Sequence, residues 1–321
     1  MNTNNITLLH NNSGDLVVPW IRNRLKNYFN IEEINRVTVY DSKKYILWID
    51  YNDHSGWEIP HRARGLKVIV DHLWDSWIDE NISVADNVLT LRAKNWMWIH
   101  DYFFYNDHNY KNQVATGRPD KFFLLLMNLK RDVRDQLYHG VTPYLSDSLY
   151  SYNGNGIAIE GDIKHSSIWQ RYFNPEWYTK TNFSLVSETL PYSNPPRLFI
   201  SEKSFKPFAF KHAFVTFGSF GTLAYLRSLG FETFDHVVDE SYDLVADQPN
   251  QFKFMHENRL AHVISTVDKL HKEFKTGTLL FQDRVSLEKI EHNFNRLYNN
   301  DLVTTMWQNE VINPIMEFIN A

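Results

Sequence analysis

The sequence predicts an α/β protein built from two doubly wound, Rossmann-like domains, and three observations carry that expectation. Short β-branched or aromatic runs alternate with stretches of helical spacing, the pattern of parallel βαβ units. A polar window without apolar period, NDHNYKNQVATGRPD at 106–120, divides the chain. Directly after it comes KFFLLLMN, Lys121–Asn128, a continuous apolar run such as a strand buried on both faces of a parallel sheet requires. At 321 residues the chain is long enough for two separate cores.

In order along the first domain, Val37–Tyr40, Tyr45–Asp50 and Lys67–Asp71 are predicted strands, with a fourth inside Asn95–Tyr105. Val18–Phe29 and Leu73–Ile78 have helical spacing. Past the polar window, Lys121–Asn128 opens a second sheet and a helix starts at Asp132. A Gly/Asn-rich loop at Asn153–Gly156 and a strand at Asn182–Ser187 follow. The proline-rich loop Pro191–Pro196 leads through Leu198–Ile200 to a helix near Glu202. His212–Phe217 is the next strand, closed by Gly218. Thr222–Leu229 is helical and stops at Gly230, a C-cap residue. Asn258–Lys275 and Ser286–Tyr298 are amphipathic helices, and Leu302–Asn320 is helical with Pro314 as a break. The expected division is 1–115, 116–300 and a C-terminal helix in 301–321 that packs back on the first domain.

Composition removes several classes of function. With 43% hydrophobic and 22% charged residues the chain has a globular balance. It has no cysteine, which excludes disulfides and thiolate metal sites. No run of eighteen apolar residues occurs, and Met1–Asn12 lacks the regions of a signal peptide, so a cytoplasmic protein without membrane insertion is expected. A net charge of −5 gives no global basic footprint for nucleic acid, though a local basic groove would survive it. Ten Trp within 15% aromatics serve either as core or as stacking platforms for sugar rings and bases.

The densest chemistry lies in 182–243. A strand ends at Ser187–Glu188–Thr189, and after a loop a helix starts at Ser201–Glu202–Lys203, with Ser201 as N-cap. Such a helix start turns free N–H groups and a positive dipole end toward the crevice of the sheet. Lys203 and Lys206 add two cations, and the combination suits a diphosphate. Glu202 and Lys206 also stand at i, i+4 and can pair as a solvated helix face. A second cluster, Lys130, Arg131 and Arg134, follows Asn128. It is either phosphate-facing or a helix face shared with Asp132 and Asp135.

This stretch resembles the donor-binding segment of the α1,3-fucosyltransferase family and its bacteriophage-encoded relatives. In that family a strand ends in Glu-Asn, a helix starts Thr-Glu-Lys, and the next strand closes on glycine. The matching positions are Glu188, Thr189, Glu202 and Lys203, with Ala213–Gly218 as the closing strand. LRSLGFETF at Leu226–Phe234 and ESYD at Glu240–Asp243 are also similar to the phage-type members. Thr189 stands for asparagine and Ser201 for threonine, and the closing strand lacks its usual proline. The resemblance implies two Rossmann-like domains facing across a cleft (the GT-B type), the second binding a nucleotide-sugar donor. It implies Glu202 on the donor ribose, Lys203 and Arg131 on the diphosphate, and Glu188 lining the sugar.

An inverting glycosyltransferase is therefore expected, with a nucleoside-diphosphate sugar as co-substrate and no other cofactor. No two aspartates have the Asp-x-Asp spacing, so metal independence is expected, the leaving diphosphate being neutralised by Lys, Arg and helix dipoles. The base that takes the acceptor proton is sought at predicted strand ends: Asp50, Asp71 or Asp101, with Asp53, His54 and Glu58 nearby. Trp57, Trp74, Trp77, Trp96 and Trp98 either stack on an acceptor or belong to the core. The acceptor is a hydroxymethylated base of phage DNA, flipped from the stack, or a surface glycan. A phage-encoded chain would work in the host cytoplasm. A non-catalytic nucleotide-sugar or carbohydrate-binding protein of the same fold is the alternative. A nicotinamide-dependent epimerase is set aside, because Gly154-Asn155-Gly156 does not continue into a dinucleotide fingerprint.

Overall fold

The computed structural model describes residues 5–10, 24–34, 45–50, 67–72, 88–91, 97, 110–112, 117–159, 174–189, 191, 198–244 and 257–321. The chain divides into two compact units, one of Met1–Tyr105 with Asn299–Ala321, the other of Asn106–Tyr298.

The first unit holds a five-stranded sheet of β1 (Asn5–His10), β2 (Asn30–Ile34), β3 (Tyr45–Asp50), β4 (Lys67–His72) and β5 (Val88–Leu91). Its order is β2-β1-β3-β4-β5 and every neighbouring pair is parallel. The strand path reverses between β1 and β3, as in a doubly wound sheet. β3 and β4 form where YILWID and KVIVD predict strands. β1, β2 and β5 are additions, and their mixed polar sequences explain why pattern alone passes over them. The predicted strand at 37–40 and helix at 73–78 lie outside the described residues, as does 95–105 apart from Met97. Of 18–29 only 24–29 is described, with Arg24 and Leu25 helical.

The tail of this unit is helical in two pieces, Asn300–Trp307 and Asn313–Asn320, joined by a π-helical turn at Gln308–Ile312. Pro314 sits in the first turn of the last piece, so the break falls where a residue without an N–H would otherwise interrupt the ladder. Val303, Trp307, Val311, Ile315 and Ile319 form one buried stripe. Arg24 donates to Thr304 Oγ1 at 3.0 Å and to Asn300 Oδ1 at 3.3 Å.

The second unit holds a parallel sheet of order β7-β6-β8-β9, with β6 at Lys121–Met127, β7 at Leu149–Tyr152, β8 at Thr181–Ser187 and β9 at Ala213–Phe217. Every residue of β8 and β9 is buried; β9, AFVTF, accordingly reads as a nearly continuous apolar run, while β8, TNFSLVS, also buries Thr181, Asn182, Ser184 and Ser187. Among the described residues its α-helices are α1 (Asp132–Val141), α2 (Pro175–Lys180), α3 (Glu202–Ala209), α4 (Thr222–Ser228), α5 (Glu257–Lys275) and α6 (Arg284–Leu297). α3 packs on β8, β9 and α6, while α5 packs on β9 and α1. β7 and α2 are additions to the sequence reading.

The aromatic excess is core in this unit: Phe205, Phe208, Phe214, Phe231 and Phe234 form a buried cluster, Phe208 stacking on Phe231 at 4.6 Å. The five tryptophans named above as acceptor platforms lie outside the described residues. His212 ties the start of β9 to β8. Its Nε2–H donates to Thr181 O at 2.9 Å, which leaves Nδ1 to accept from Ser184 Oγ at 2.9 Å. Burial keeps this imidazole neutral, with its pKa lowered to about 4.

Candidate functional site

In a parallel sheet all carboxyl ends lie on one edge, and ligands collect where successive connections leave in opposite directions. In the second unit the chain goes from β6 outward to β7, then returns to pair β8 on the other side of β6. The switch point is therefore the crevice between the ends of β6 and β8. It is bordered by Asn128–Arg131 with α1 on one side, and by Glu188, Thr189 and the start of α3 on the other.

Glu188 follows the last residue of β8 and is fully buried. Its Oε1 accepts from Ser201 N–H at 3.0 Å and Ser204 Oγ at 2.7 Å, and its Oε2 from Ser201 Oγ at 2.7 Å and Thr189 N–H at 3.3 Å. A buried carboxylate is tolerable only when its lone pairs are taken up, and here they are taken up by the N-terminus of α3. Glu188 is thus a staple between strand end and helix start. The resemblance gives it a place against the sugar, but both of its oxygens are engaged by the protein's own backbone and hydroxyls.

Ser201 is the N-cap of α3, its Oγ accepting from Lys203 N–H at 3.4 Å. Lys203 Nζ donates to Ser201 Oγ at 3.0 Å and to Glu202 Oε1 at 3.1 Å. Lys206 Nζ stands 3.9 Å from the same Glu202 oxygen. The i, i+4 pair is therefore formed, but not on a solvated face, since the Glu202 and Lys206 side chains are each only 12% exposed. Burial pushes the Glu202 pKa up, yet the Lys203 and Lys206 charges outweigh it and hold it at about 2. Burial also lowers Lys206 to about 8, against the opposing pull of Glu202. Together with Arg134, the two lysines make three cations against the two acidic side chains Glu202 and Glu188. Lys203 and Lys206 line a small open cleft of about 30 Å³ whose walls include Leu124, Leu126, Val186 and Pro207.

On the other bank the structure separates the two arginines. Arg131 is the N-cap residue of α1 and is exposed, without a side-chain cap bond. Arg134 is 2% exposed. Its Nη1 donates to Leu129 O at 2.9 Å and its Nη2 to Thr189 Oγ1 at 3.3 Å, across the switch point. Its Nε–H has no hydrogen-bond partner among the described residues, nor has the buried Ser187 Oγ at the end of β8. Burial, then the neighbouring Arg131 charge, lowers the Arg134 pKa. The crevice is thus brought together from Arg134, Thr189, Glu202, Lys203 and Lys206, with Glu188 beneath. Arg134 belongs to it more intimately than Arg131. The spacing that could have shown this is Arg134, Leu137, Val141, the buried stripe of α1.

The start of α4 is already occupied. Asp243 accepts from Leu223 N–H and Ala224 N–H, both at 3.0 Å, and so caps α4. In the first unit Asp50 is the last residue of β3 and Asp71 precedes the last residue of β4, Asp50 pairing in register with His72. Asp101, Asp53, His54 and Glu58 lie outside the described residues. Among the described residues no three His, Asp or Glu side chains converge as a metal site needs, and no helix is long and apolar enough to cross a membrane.

No protein-family model and no curated protein matches this sequence. Among solved structures the chain is similar to an α1,3-fucosyltransferase, at 11% identity and TM-score 0.45, over 94% of this chain and 92% of that one. It is also similar to a glycosyltransferase from Rickettsia africae ESF-5, at 8% identity and TM-score 0.39, over 96% and 100%. A D-isomer specific 2-hydroxyacid dehydrogenase from Lactobacillus delbrueckii ssp. bulgaricus follows at 9% identity and TM-score 0.26, over 97% of each chain. What the crevice can do is carried by its own geometry.

Proposed function

We propose that the chain is a glycosyltransferase that uses a nucleoside-diphosphate sugar and holds the diphosphate in the crevice between β6 and β8. Arg134 carries this reading. A buried guanidinium whose two hydrogen bonds go to neutral oxygens, with one N–H unmatched, is costly where the Glu188 and Glu202 charges offset its burial only in part, and a bound anion would relieve it. Lys203, Lys206 and the first turn of α3 supply further positive potential on the opposite bank. Two parallel α/β units in one chain are the parts of a GT-B enzyme, which supports that organisation.

In the proposed reaction the acceptor hydroxyl attacks the anomeric carbon in line. Its C–O bond forms as the bond to the diphosphate oxygen breaks, with inversion. The proton goes to a carboxylate, for which Asp50, Asp71 and Asp101 are the candidates. Lys203 and Arg134 take up the charge that moves onto the diphosphate, without a metal ion. Glu202 is assigned to the donor ribose, and Glu188 to holding the α3 start. The exposed side chains of Leu129, Lys130 and Arg131 beside the crevice pair an apolar tip with two cations. That favours a hydroxymethylated DNA base over a neutral glycan as acceptor, as apolar wedge and phosphate contacts combine in DNA binding.

A thermal-shift screen against nucleoside diphosphates tests the donor site. The correct one should stabilise the fold by about 2.7 kcal/mol at a hundredfold excess over its Kd. With that donor, Lys203→Ala should lower kcat/KM by roughly 10²–10³ in protein that still folds, with a lower melting temperature because the largely buried Glu202 keeps only Lys206 as its cation. A protein that no nucleoside diphosphate stabilises, or a fully active Lys203→Ala enzyme, refutes the reading. Binding without donor hydrolysis or transfer would identify a non-catalytic binding protein instead.

A further inference from the structure

The turn after β7 closes on the loop that carries the cations. Gly154 N–H donates to Asn128 O at 2.6 Å. The Tyr152 hydroxyl accepts from Arg131 N–H at 3.4 Å and donates to Asp135 Oδ1 at 2.8 Å, and Asn155 Nδ2 reaches that same oxygen at 3.3 Å. Between these two backbone contacts lies Leu129 O, the acceptor of Arg134 Nη1. The backbone of 128–131 is therefore held from both ends, and its middle carbonyl sets the guanidinium. A Cβ at Gly154 would lie 2.4 Å from Lys130 N and 2.9 Å from Asn128 O. Both are backbone atoms, which cannot swing aside as the tip of a side chain can, so a side chain at 154 must displace the loop.

We propose that Gly154 and Tyr152 are positioning residues of the anion site: the turn after β7 fixes the 128–131 backbone, and through Leu129 O it aims the Arg134 guanidinium into the crevice. This rests on reading the crevice as an anion site. Neither residue touches the ligand. The arrangement makes the edge strand β7 part of the site, although its own carboxyl end carries no cation. It also accounts for a glycine at 154 by close approach, whereas Gly156, at φ 73°, is needed for its left-handed backbone.

The test uses the full chain, inorganic pyrophosphate as probe, and Gly154→Ala, Arg134→Lys and the double variant. Calorimetry reads pyrophosphate affinity. Nitrogen-15 spectra of the ligand-free protein read the Arg134 Nε–H resonance, assigned by its loss in Arg134→Lys. The expectation is that Gly154→Ala moves that resonance, weakens pyrophosphate about tenfold or more, and adds nothing on the Arg134→Lys background. A folded Gly154→Ala protein with the resonance unmoved overturns the proposal. So does an equal weakening in both backgrounds. Should Gly154→Ala fail to fold, Tyr152→Phe, which keeps the ring and removes the hydroxyl, is read by the same criteria. If the wild-type chain ignores pyrophosphate, the anion-site reading falls by itself, and the Nε–H resonance still decides whether the turn aims Arg134.

Discussion

A cation buried among neutral acceptors is a burden on the ligand-free protein, and Arg134 bears the mark of one: 2% exposed, two bonds to neutral oxygens and an unmatched Nε–H. Replacing such a group by an apolar one of similar length often leaves stability unchanged or raises it, because the desolvation cost goes with the charge. Arg134→Met should therefore hold or raise the melting temperature while weakening pyrophosphate binding about a hundredfold, a charge-assisted bidentate contact being lost. Arg131→Ala, on the exposed N-cap, should change stability by no more than about 0.5 kcal/mol. Parallel thermal melts and titrations of both variants check this, and a strongly destabilised Arg134→Met would show the guanidinium to be structural. The sequence placed both arginines at a helix start, and the family resemblance put Arg131 on the diphosphate. Burial is decided by which helix face meets the sheet, and the 134, 137, 141 stripe is the part of that decision visible in the residue order.

At the scale of elements, the start of α3 depends on one side chain from the preceding strand. Glu188 receives two bonds from Ser201, one from Ser204 and one from Thr189. Glu188→Gln keeps the volume but turns one end into an NH₂ that opposes protein donors. It should destabilise the fold by about 3 kcal/mol, the scale of leaving buried polar partners unmatched, and weaken anion binding by loosening the first turn. Chemical denaturation measures the first effect, and an unchanged midpoint would show that the staple carries no weight. β6 and β9 were legible because a strand buried on both faces has a marked apolar run, and β8 from its short FSLV segment although four of its seven residues are polar. The starts of α1 and α3 were legible from their position after such runs. β7, LYSY, is an edge strand of four residues and α2 has six, too short for either period to show. The function of Glu188 was out of reach for another reason: its Ser201 and Ser204 partners lie thirteen and sixteen residues onward, a separation that no local pattern bridges.

For the whole molecule, Asn106–Tyr298 is a compact unit with its own sheet, aromatic core and candidate anion site. Expressed alone, that fragment should fold and melt cooperatively, and it should retain the nucleoside diphosphate response of the full chain. Calorimetry and the same thermal-shift screen would show it, and a fragment without a cooperative transition would contradict its independence. The other unit is discontinuous, since Met1–Tyr105 shares its core with Asn299–Ala321, whose Val303, Trp307, Val311, Ile315 and Ile319 are buried. On the ribosome this delays the amino-terminal unit. The first hundred residues emerge early but lack a stripe of their core. The middle of the chain needs no segment outside Asn106–Tyr298 to complete its fold. At the usual ~5–20 residues per second, the amino-terminal sheet waits on the order of ten seconds or more for the helices that finish it, with chaperones its natural company in the interval.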